Sequence, residues 1–469
     1  MQDDLARRSH AGLEYLKRVF GPKGLLSTRE DCQRYAADQS GLAGEAPLAV
    51  VRPATTEEVA RALEICNGHN LTVIPQGGRT GLSGGACGLA RSVVLSSERL
   101  TGIIELDRQA MTLTAWAGTP LETVQMAARD AGFEYPVDIG SRGSATIGGT
   151  IATNAGGIRV LQHGMTRQNV LGLEAVLADG SVISRLGKTV KDNSGFDLKH
   201  VFIGSEGTLG VITRAVLQLR PSVPHSALAL LALPDHAAAL ACLAAARTRF
   251  GTRVAAFEGM WPDYWDFVCH QTQLVTSPFK DRHGFYLLLE VVSGEDDAGE
   301  QMEAFFAERF EAGEVIDGIL AKSVAEMQAL WAIREAVGEV DADLGPHINF
   351  DIGLAPSDLG RFCDAVDGPL AALDCAGQTL KVGHVGDGNA HLLVAHEGSK
   401  EAEERIEETV YSLLSSWGGA VTAEHGIGRI KVRWLDKSRS KSEMQLMQTM
   451  KTALDPQNIL SPGVLFAMT

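Results

Sequence analysis

Cysteine is scarce in this chain and follows no pattern: 7 in 469 residues, at positions 32, 66, 87, 242, 269, 363 and 375. No pair has C-x-x-C spacing, and an odd, scattered set excludes both a disulfide framework and an iron–sulfur cluster. A reducing compartment is expected. Long apolar runs are missing too. The most apolar region, 227–246, is broken by Pro234, Asp235 and His236, so it cannot span a bilayer. The first eight residues, Met-Gln-Asp-Asp-Leu-Ala-Arg-Arg, carry charge and no apolar core; no signal peptide is expected, and the chain reads as cytoplasmic. Positive charge is in deficit, with 42 Lys and Arg against 58 Asp and Glu for a net charge of −16. That balance repels phosphate backbones and argues against a nucleic-acid partner. A small anionic substrate remains allowed, because it needs only one local cation.

The chain has length for about three average domains or two large ones. Residues 1–46 read as a polar, helical lead-in, and from Pro47 the pattern alternates α and β. Thr55-x-x-Glu58 is a capping box opening a helix through Cys66, and 71–74 is a short strand. Segments 103–106 and 111–116 suggest a hairpin. Thr119-Pro120-Leu121-Glu122 supplies an N-cap, a proline at the first helical position and a glutamate at the third. Near 221–224 glycine becomes sparse. Helical patterns at 236–250, 297–311 and 323–343 beside strands at 285–292 and 347–354 predict an α+β second domain.

Glycine is concentrated in two stretches. The first, Pro75-Gln-Gly77-Gly78-Arg79-Thr80-Gly81-Leu-Ser-Gly84-Gly85, follows a predicted strand. The second runs Gly140-Ser141-Arg-Gly143-Ser-Ala-Thr146-Ile147-Gly148-Gly149-Thr150 into Ala152-Thr153-Asn154-Ala-Gly156-Gly157. Such density lets backbone N–H groups converge on an anion and lets backbone approach a flat ring. Neither stretch has G-x-G-x-x-G or G-x-x-x-x-G-K-[ST] spacing, so neither a Rossmann site nor a P-loop is present.

A second concentration of chemistry is Lys381-Val-Gly-His384-Val-Gly-Asp-Gly-Asn-Ala-His391-Leu-Leu-Val394. Two β-prone arms flank Gly386-Asp387-Gly388-Asn389, whose residues tolerate the positive φ of a tight turn. With those four as the loop, His384 faces His391, and opposed Cβ atoms lie roughly 5 Å apart. Two imidazoles there can hold one metal ion, with a third ligand offered by Ala423-Glu424-His425-Gly426. Two histidines and a carboxylate with open positions describe a catalytic metal, whereas the alternative is a hairpin with two incidental histidines. Arg334 is the other irregularity: the stripe Val324, Met327, Trp331 of a helix capped by Ser323-x-x-Glu326 reaches it where a core residue is expected. An arginine so placed commonly snorkels to the helix edge.

The two glycine stretches and Ile203-Gly-Ser-Glu206-Gly207-Thr-Leu-Gly210-Val-Ile212-Thr213 resemble the FAD-binding domain of the vanillyl-alcohol-oxidase type. The His384–His391 block, Glu424-His425-Gly426 and the tail from Asp455 through Asn458 to Gly463 resemble its FAD-dependent D-2-hydroxyacid dehydrogenase branch. This resemblance covers about residues 46 to 465 in consistent order. It implies a two-part FAD domain, 47–222 with a returning segment 426–469, and an α+β substrate- and metal-binding cap at 223–425. It also implies that the glycine stretches, Glu206, Gly207, Gly210, Ile212 and Asn458 hold FAD. The first loop has no histidine and Cys87 lies just past it, so non-covalent FAD is expected.

The same resemblance assigns His384, His391 and Glu424 to a divalent metal, zinc before manganese or iron. His425 is implied as general base and Arg334 as the substrate-carboxylate partner. Extended backbone at 424–425 would send adjacent side chains to opposite sides. The 2-hydroxyglutarate enzymes of this branch carry Thr, Lys and Asn where this chain has Gly338, Asn349 and Leu393. Losing that cation and amide leaves a distal carboxylate unpaired, which is costly. The expected substrate is therefore D-lactate or a larger apolar D-2-hydroxy acid. The alternatives are D-2-hydroxyglutarate, a flavin subunit of a glycolate-oxidase-like complex, and a non-redox transferase resembling alkylglycerone-phosphate synthase. Electrons must leave to a separate acceptor such as an electron-transferring flavoprotein, a quinone or a cytochrome, and a homodimer is allowed.

Overall fold

Where apolar residues run without interruption, strands are covered on both faces; where they alternate, one face meets solvent or a polar site. The computed structural model describes residues 2–468. The chain divides into two units, Met1–Gly157 with His163–Ser222 and Glu424–Thr469, and Ile158–Gln162 with Val223–Ala423.

Among the described residues the first unit holds two larger sheets and a two-stranded ribbon that pairs Phe133–Glu134 with Arg220–Pro221. In the four-stranded one the order is Leu25–Leu26, Ala49–Val51, Val93–Ser96, Val73–Gln76, the last three mutually parallel. Helix Thr56–Gly68 makes the crossover, with Thr55 capping Glu58 N–H as its sequence requires. The five-stranded sheet is antiparallel, ordered Ile103–Asp107, Thr112–Trp116, Val211–Gln218, Val170–Val176, Val182–Arg185. Glu174 lies 2 % exposed in this sheet and accepts from Thr56, Ser184, Thr213 and Arg214, joining the crossover helix to three strands. The lead-in is integral to this unit: Leu16 is buried and Leu25–Leu26 pairs with Ala49–Val51. At the other end Lys451 Nζ is buried and donates to Asp455, Thr208 O and Leu460 O, while Val73 bridges Leu460. These bonds return the C-terminal segment to the first unit.

The helix expected at Thr119 begins later. It spans Leu121–Asp130 with Pro120 at the cap position and no side-chain cap. The Thr119 hydroxyl instead exchanges hydrogen bonds with Gly102.

The second unit is built on a seven-stranded antiparallel sheet. Its order is Asp317–Leu320, His225–Leu233, Phe285–Ser293, Val254–Met260, Ala376–Gly383, Asn389–His396, His347–Gly353. Val254–Met260 is buried along its whole length, so side chains of both parities are covered. One face carries Met260, Leu288, Leu380, Val382 and Leu393, packed against Leu330 and Ile333 of helix Val324–Glu335. That packing brings the last turn of the helix, with Arg334, onto the sheet. Helix His236–Phe250 starts at the Asp235 cap and ends at Gly251, whose positive φ stops it.

Candidate active site

The hairpin that carries the two histidines is shifted from its expected register. Ala376–Gly383 pairs with Asn389–His396 so that Val382, and not His384, lies opposite His391. His384 falls in the loop, where its carbonyl accepts from the N–H groups of Asp387, Gly388 and Asn389. Gly388 takes φ 88 there, and a side chain would collide with Leu354 O. The slip is two residues, an even number, so it preserves which face each side chain occupies. His384 and His391 therefore still meet, with ring centroids 6.0 Å apart, and both are buried.

Asp351 sits opposite His391 on the other neighbouring strand and is 0 % exposed. Its carboxylate accepts from Asn389 Nδ2, Thr422 Oγ1 and the Ala423 N–H. Clasping 422–423 beside His391 delivers the very next residue, Glu424, to the same place. One ligand atom each from His384, His391 and Glu424 then lie within 4.8 Å of one another. Two imidazoles and one carboxylate are a donor set suited to a divalent transition metal, with positions left for substrate. The backbone around 421–428 forms no strand, so the extended geometry expected for Glu424 and His425 is absent.

Arg334 does not snorkel. It is 6 % exposed, and its Nε donates to Glu258 Oε2 at 2.8 Å. Glu258 Oε1 lies 2.8 Å from His384 Nδ1, and Glu258 is 1 % exposed. Burial alone pushes this carboxyl upward, but His384 and Arg334 outweigh it and hold it below the usual carboxylate range. Sequence reasoning missed Glu258. Its one signal is a lone carboxylate in the apolar strand Val-Ala-Ala-Phe-Glu-Gly-Met, which flags a buried charge without naming its partners. Of the positions expected to shape the substrate side, Leu393 is 0 % exposed and pairs directly with Asn349, which is exposed. Gly338 has open space where a side chain would go.

In the first unit the glycines divide into two kinds. A Cβ on Gly77 would strike Thr146 Oγ1 at 2.3 Å, and one on Gly78 would strike Ser144 O at 1.9 Å. These positions are glycine because the two stretches pack backbone to backbone. A Cβ would also collide at Gly148 with Ala117, at Gly157 with Asp138 O and at Gly210 with the Phe202 ring, so close packing against neighbouring segments accounts for these glycines. Gly140 has nothing within 4 Å of an added Cβ, and Gly81 and Gly85 meet their first neighbour only at 3.8 Å. Those are backbone surfaces that a flat or anionic ligand could approach, so the unit fits the cofactor that its glycines suggest.

The other expected cofactor contacts are distributed as follows. Pro75 lies within strand Val73–Gln76, and Arg79, at φ 58, rests its guanidinium 5.0 Å from the Tyr35 ring centre. Thr80 and Gly84 continue the same loop, Gly84 at φ 74. Ser141 O accepts from Ser144 and Ala145, and Gly143 faces Glu122. Thr146 caps helix Ile147–Thr153 through Gly149 N–H, and Thr153 Oγ1 donates to Gly149 O. Ala152 O accepts from Glu206 N–H, and Asn154 closes that helix at φ 51 while accepting from Arg167 N–H. Gly156 lies between Asn154 and Gly157 and is buried.

Glu206 has a structural assignment. Its two oxygens accept from the N–H groups of Ile427 and Gly428, and burial raises its pKa. Gly207, at φ 73, abuts Pro75, and Ile212 is a core residue. Asn458 is exposed in a turn at φ 52, so its residue type there answers a backbone requirement. Ser83 Oγ lies 2.9 Å from the carbonyls of both His425 and Gly426, and Gly157 N–H donates to Glu424 Oε1 at 2.7 Å. The backbone carrying the expected base is thus tied to both glycine stretches.

Comparison with known families matches residues 47–185 to the FAD binding domain and residues 223–465 to the C-terminal domain of FAD linked oxidases. The chain is 37% identical over 443 residues to D-2-hydroxyglutarate dehydrogenase of Xanthomonas citri pv. viticola, covering 93% of each protein. It is 35% identical over 454 residues to a probable mitochondrial D-2-hydroxyglutarate dehydrogenase of Oryza sativa subsp. indica, covering 96% of this chain and 80% of the relative. Among solved structures, p-cresol methylhydroxylase with substrate bound superposes with a TM-score of 0.76 at 16% identity, covering 100% of this chain and 98% of that one. An alkyldihydroxyacetonephosphate synthase gives 0.74 at 16% identity over 96% of this chain and 86% of that one. At that identity the structural likeness speaks to the fold alone.

Proposed function

The chain belongs to the FAD-linked oxidases, and within them to the FAD-dependent D-2-hydroxyacid dehydrogenases; we propose that it oxidises D-lactate or a larger apolar D-2-hydroxy acid to the 2-oxo acid with the help of one divalent metal ion. The observation that carries the metal reading is the convergence of His384, His391 and Glu424 ligand atoms within 4.8 Å. An ion held by these three residues, zinc before manganese or iron, would supply Lewis acidity to a substrate hydroxyl, and bound FAD would supply the hydride acceptor.

The chain's own residues do the rest. Arg334 is anchored through Nε, and among the described residues its terminal nitrogens make no hydrogen bond. They suit a bidentate contact with the substrate carboxylate. His425 takes the hydroxyl proton as general base. The hydroxyl proton goes to imidazole, the C2 hydride leaves with the electron pair, and a carbonyl remains. Electrons pass to a separate carrier. Non-covalent FAD is supported by Cys87, which is 1 % exposed with its thiol directed at Asp38 and Leu42 O. Seven free, buried cysteines support a reducing compartment such as the cytoplasm. No helix among the described residues is long and apolar enough to cross a membrane.

Substrate preference follows from the face of the sheet that carries His391. Asn349 and Leu393 share it, an amide and a fully buried aliphatic side chain, where a distal carboxylate would need a cation. The names of the relatives favour the second reading, D-2-hydroxyglutarate. The transferase alternative falls away, since it rests on fold likeness at 16% identity against dehydrogenase relatives at 35–37%. The test is kcat/KM across D-lactate, D-2-hydroxybutyrate and D-2-hydroxyglutarate, with L-enantiomers as controls. D-lactate or D-2-hydroxybutyrate should lead. A clear lead for D-2-hydroxyglutarate means another cation reads the distal carboxylate.

A further inference from the structure

We propose that Glu258 is a positioning residue that sets two working groups at once: the ring orientation and tautomer of His384, and the rotation of the Arg334 guanidinium. The inference rests on the metal and substrate roles proposed above and assigns a residue that neither role includes.

The sheet register dictates the arrangement. Gly259 pairs with Gly383 and Met260 with Val382. One further step along both chains sets Glu258 opposite His384, on the face shared by Met260, Val382 and His391. Helix Val324–Glu335 packs Leu330 and Ile333 onto that face and brings Arg334 to the other carboxylate oxygen. The helix end is itself fixed, because Tyr264 Oη, on a fully buried side chain, donates to Ile333 O at 2.8 Å. Glu258 thus receives two donors on two oxygens, each at 2.8 Å, with 1 % of its surface exposed.

Each contact has a directional consequence. A carboxylate beside a guanidinium can only accept, so His384 carries its proton on Nδ1 and presents Nε2, with its lone pair, to a metal. A histidine ligand whose other nitrogen donates to a carboxylate is held in one tautomer and one orientation. On the arginine, the bond uses Nε and leaves the paired terminal nitrogens as an open fork. An arginine gripped by its terminal nitrogens would have no such fork to offer.

The primary experiment uses Glu258→Gln in the FAD-loaded full chain. An amide presents one acceptor oxygen where the carboxylate presents two, so either Arg334 loses its acceptor or His384 must change tautomer to accept from the amide N–H. Relative to wild type, Zn2+ affinity of the metal-stripped protein, measured by competition with a chelating dye, should fall about 10- to 100-fold. KM for the hydroxy acid should rise at least as strongly as kcat falls, while FAD content stays normal. Long-range 1H–15N spectra, with His384 identified by its loss in His384→Asn, should show the Nδ1–H tautomer in wild type and a mixture in the variant. Glu258→Asp, which keeps the charge but draws the carboxylate back, should give an intermediate Zn2+ affinity; if Glu258→Gln does not fold, this variant carries the same readouts.

A folded variant with wild-type Zn2+ affinity, wild-type KM and an unchanged His384 tautomer overturns the inference. A wild-type protein that binds no divalent ion defeats the metal reading itself, and the His384 half of the inference is then decided by the tautomer alone. An Nε2–H tautomer in wild type overturns that half whatever the metal does.

Discussion

His425 and Arg334 are predicted to fail in different ways when removed. His425→Ala should slow flavin reduction about 100-fold or more, the usual scale for losing a positioned general base, with FAD and metal content near normal. Arg334→Ala should raise KM strongly, and it should also destabilise the fold by about 3 kcal/mol, because it takes from the buried Glu258 carboxylate its only guanidinium partner among the described residues and leaves it His384 alone. Arg334→Lys restores the charge but not the planar fork, so it should recover more stability than affinity. Rapid-mixing flavin reduction, steady-state KM and thermal unfolding separate these effects; equal loss in every readout for both residues would contradict the division of roles. The anomaly at Arg334 was legible in the sequence because a charge stood on an apolar helical stripe. What it paired with was not, since Glu258 lies 76 residues away and local patterning carries no information about which distant strand a helix end will meet.

At the scale of elements, helix His236–Phe250 was legible to the residue, with its cap Asp235 and its stop at Gly251 written into the chain. The histidine hairpin was legible in kind and wrong in register, because loop length set the pairing: the turn takes 384–388 and folds three N–H groups onto one carbonyl. An even slip spared the site, whereas a slip of one residue would have parted the histidines. Nor could the sequence say which glycines serve a ligand and which merely let two loops touch; Gly78 against Ser144 O and Gly140 in open space look alike in one dimension.

A pH prediction belongs to the joint that Glu174 makes between helix Thr56–Gly68 and the five-stranded sheet. Burial would raise its pKa, but the donors Arg214, Thr56, Thr213 and Ser184 prevail and bring it from 4.5 to about 2. The folded value lies below the unfolded one, so this contribution to stability is complete above pH 4.5 and is lost as pH falls toward 2. The melting-temperature gap between wild type and Glu174→Gln should therefore be constant at neutral pH and narrow from 4.5 downward. A gap that does not change with acidification contradicts the assignment.

Over the whole molecule, the tail and the glycine stretches resemble one domain type and so imply an interrupted chain order, and Lys451 bonds to Asp455, Thr208 and Leu460 hold the tail to the first unit. The exchange of 158–162 into the second unit was not legible, since it depends on Arg159 finding the buried Glu290 at 2.9 Å. Metal-assisted oxidation of a D-2-hydroxy acid by a non-covalently bound flavin is the claim on which everything else depends. It is tested most directly by following the visible flavin absorption anaerobically after adding D-lactate to the FAD-loaded protein, before chelation, after chelation, and after returning one equivalent of Zn2+ or Mn2+. The absorption should bleach, stop bleaching once the metal is removed with FAD still bound, and bleach again when it is restored. Undiminished bleaching in a demonstrably metal-free preparation would contradict the account.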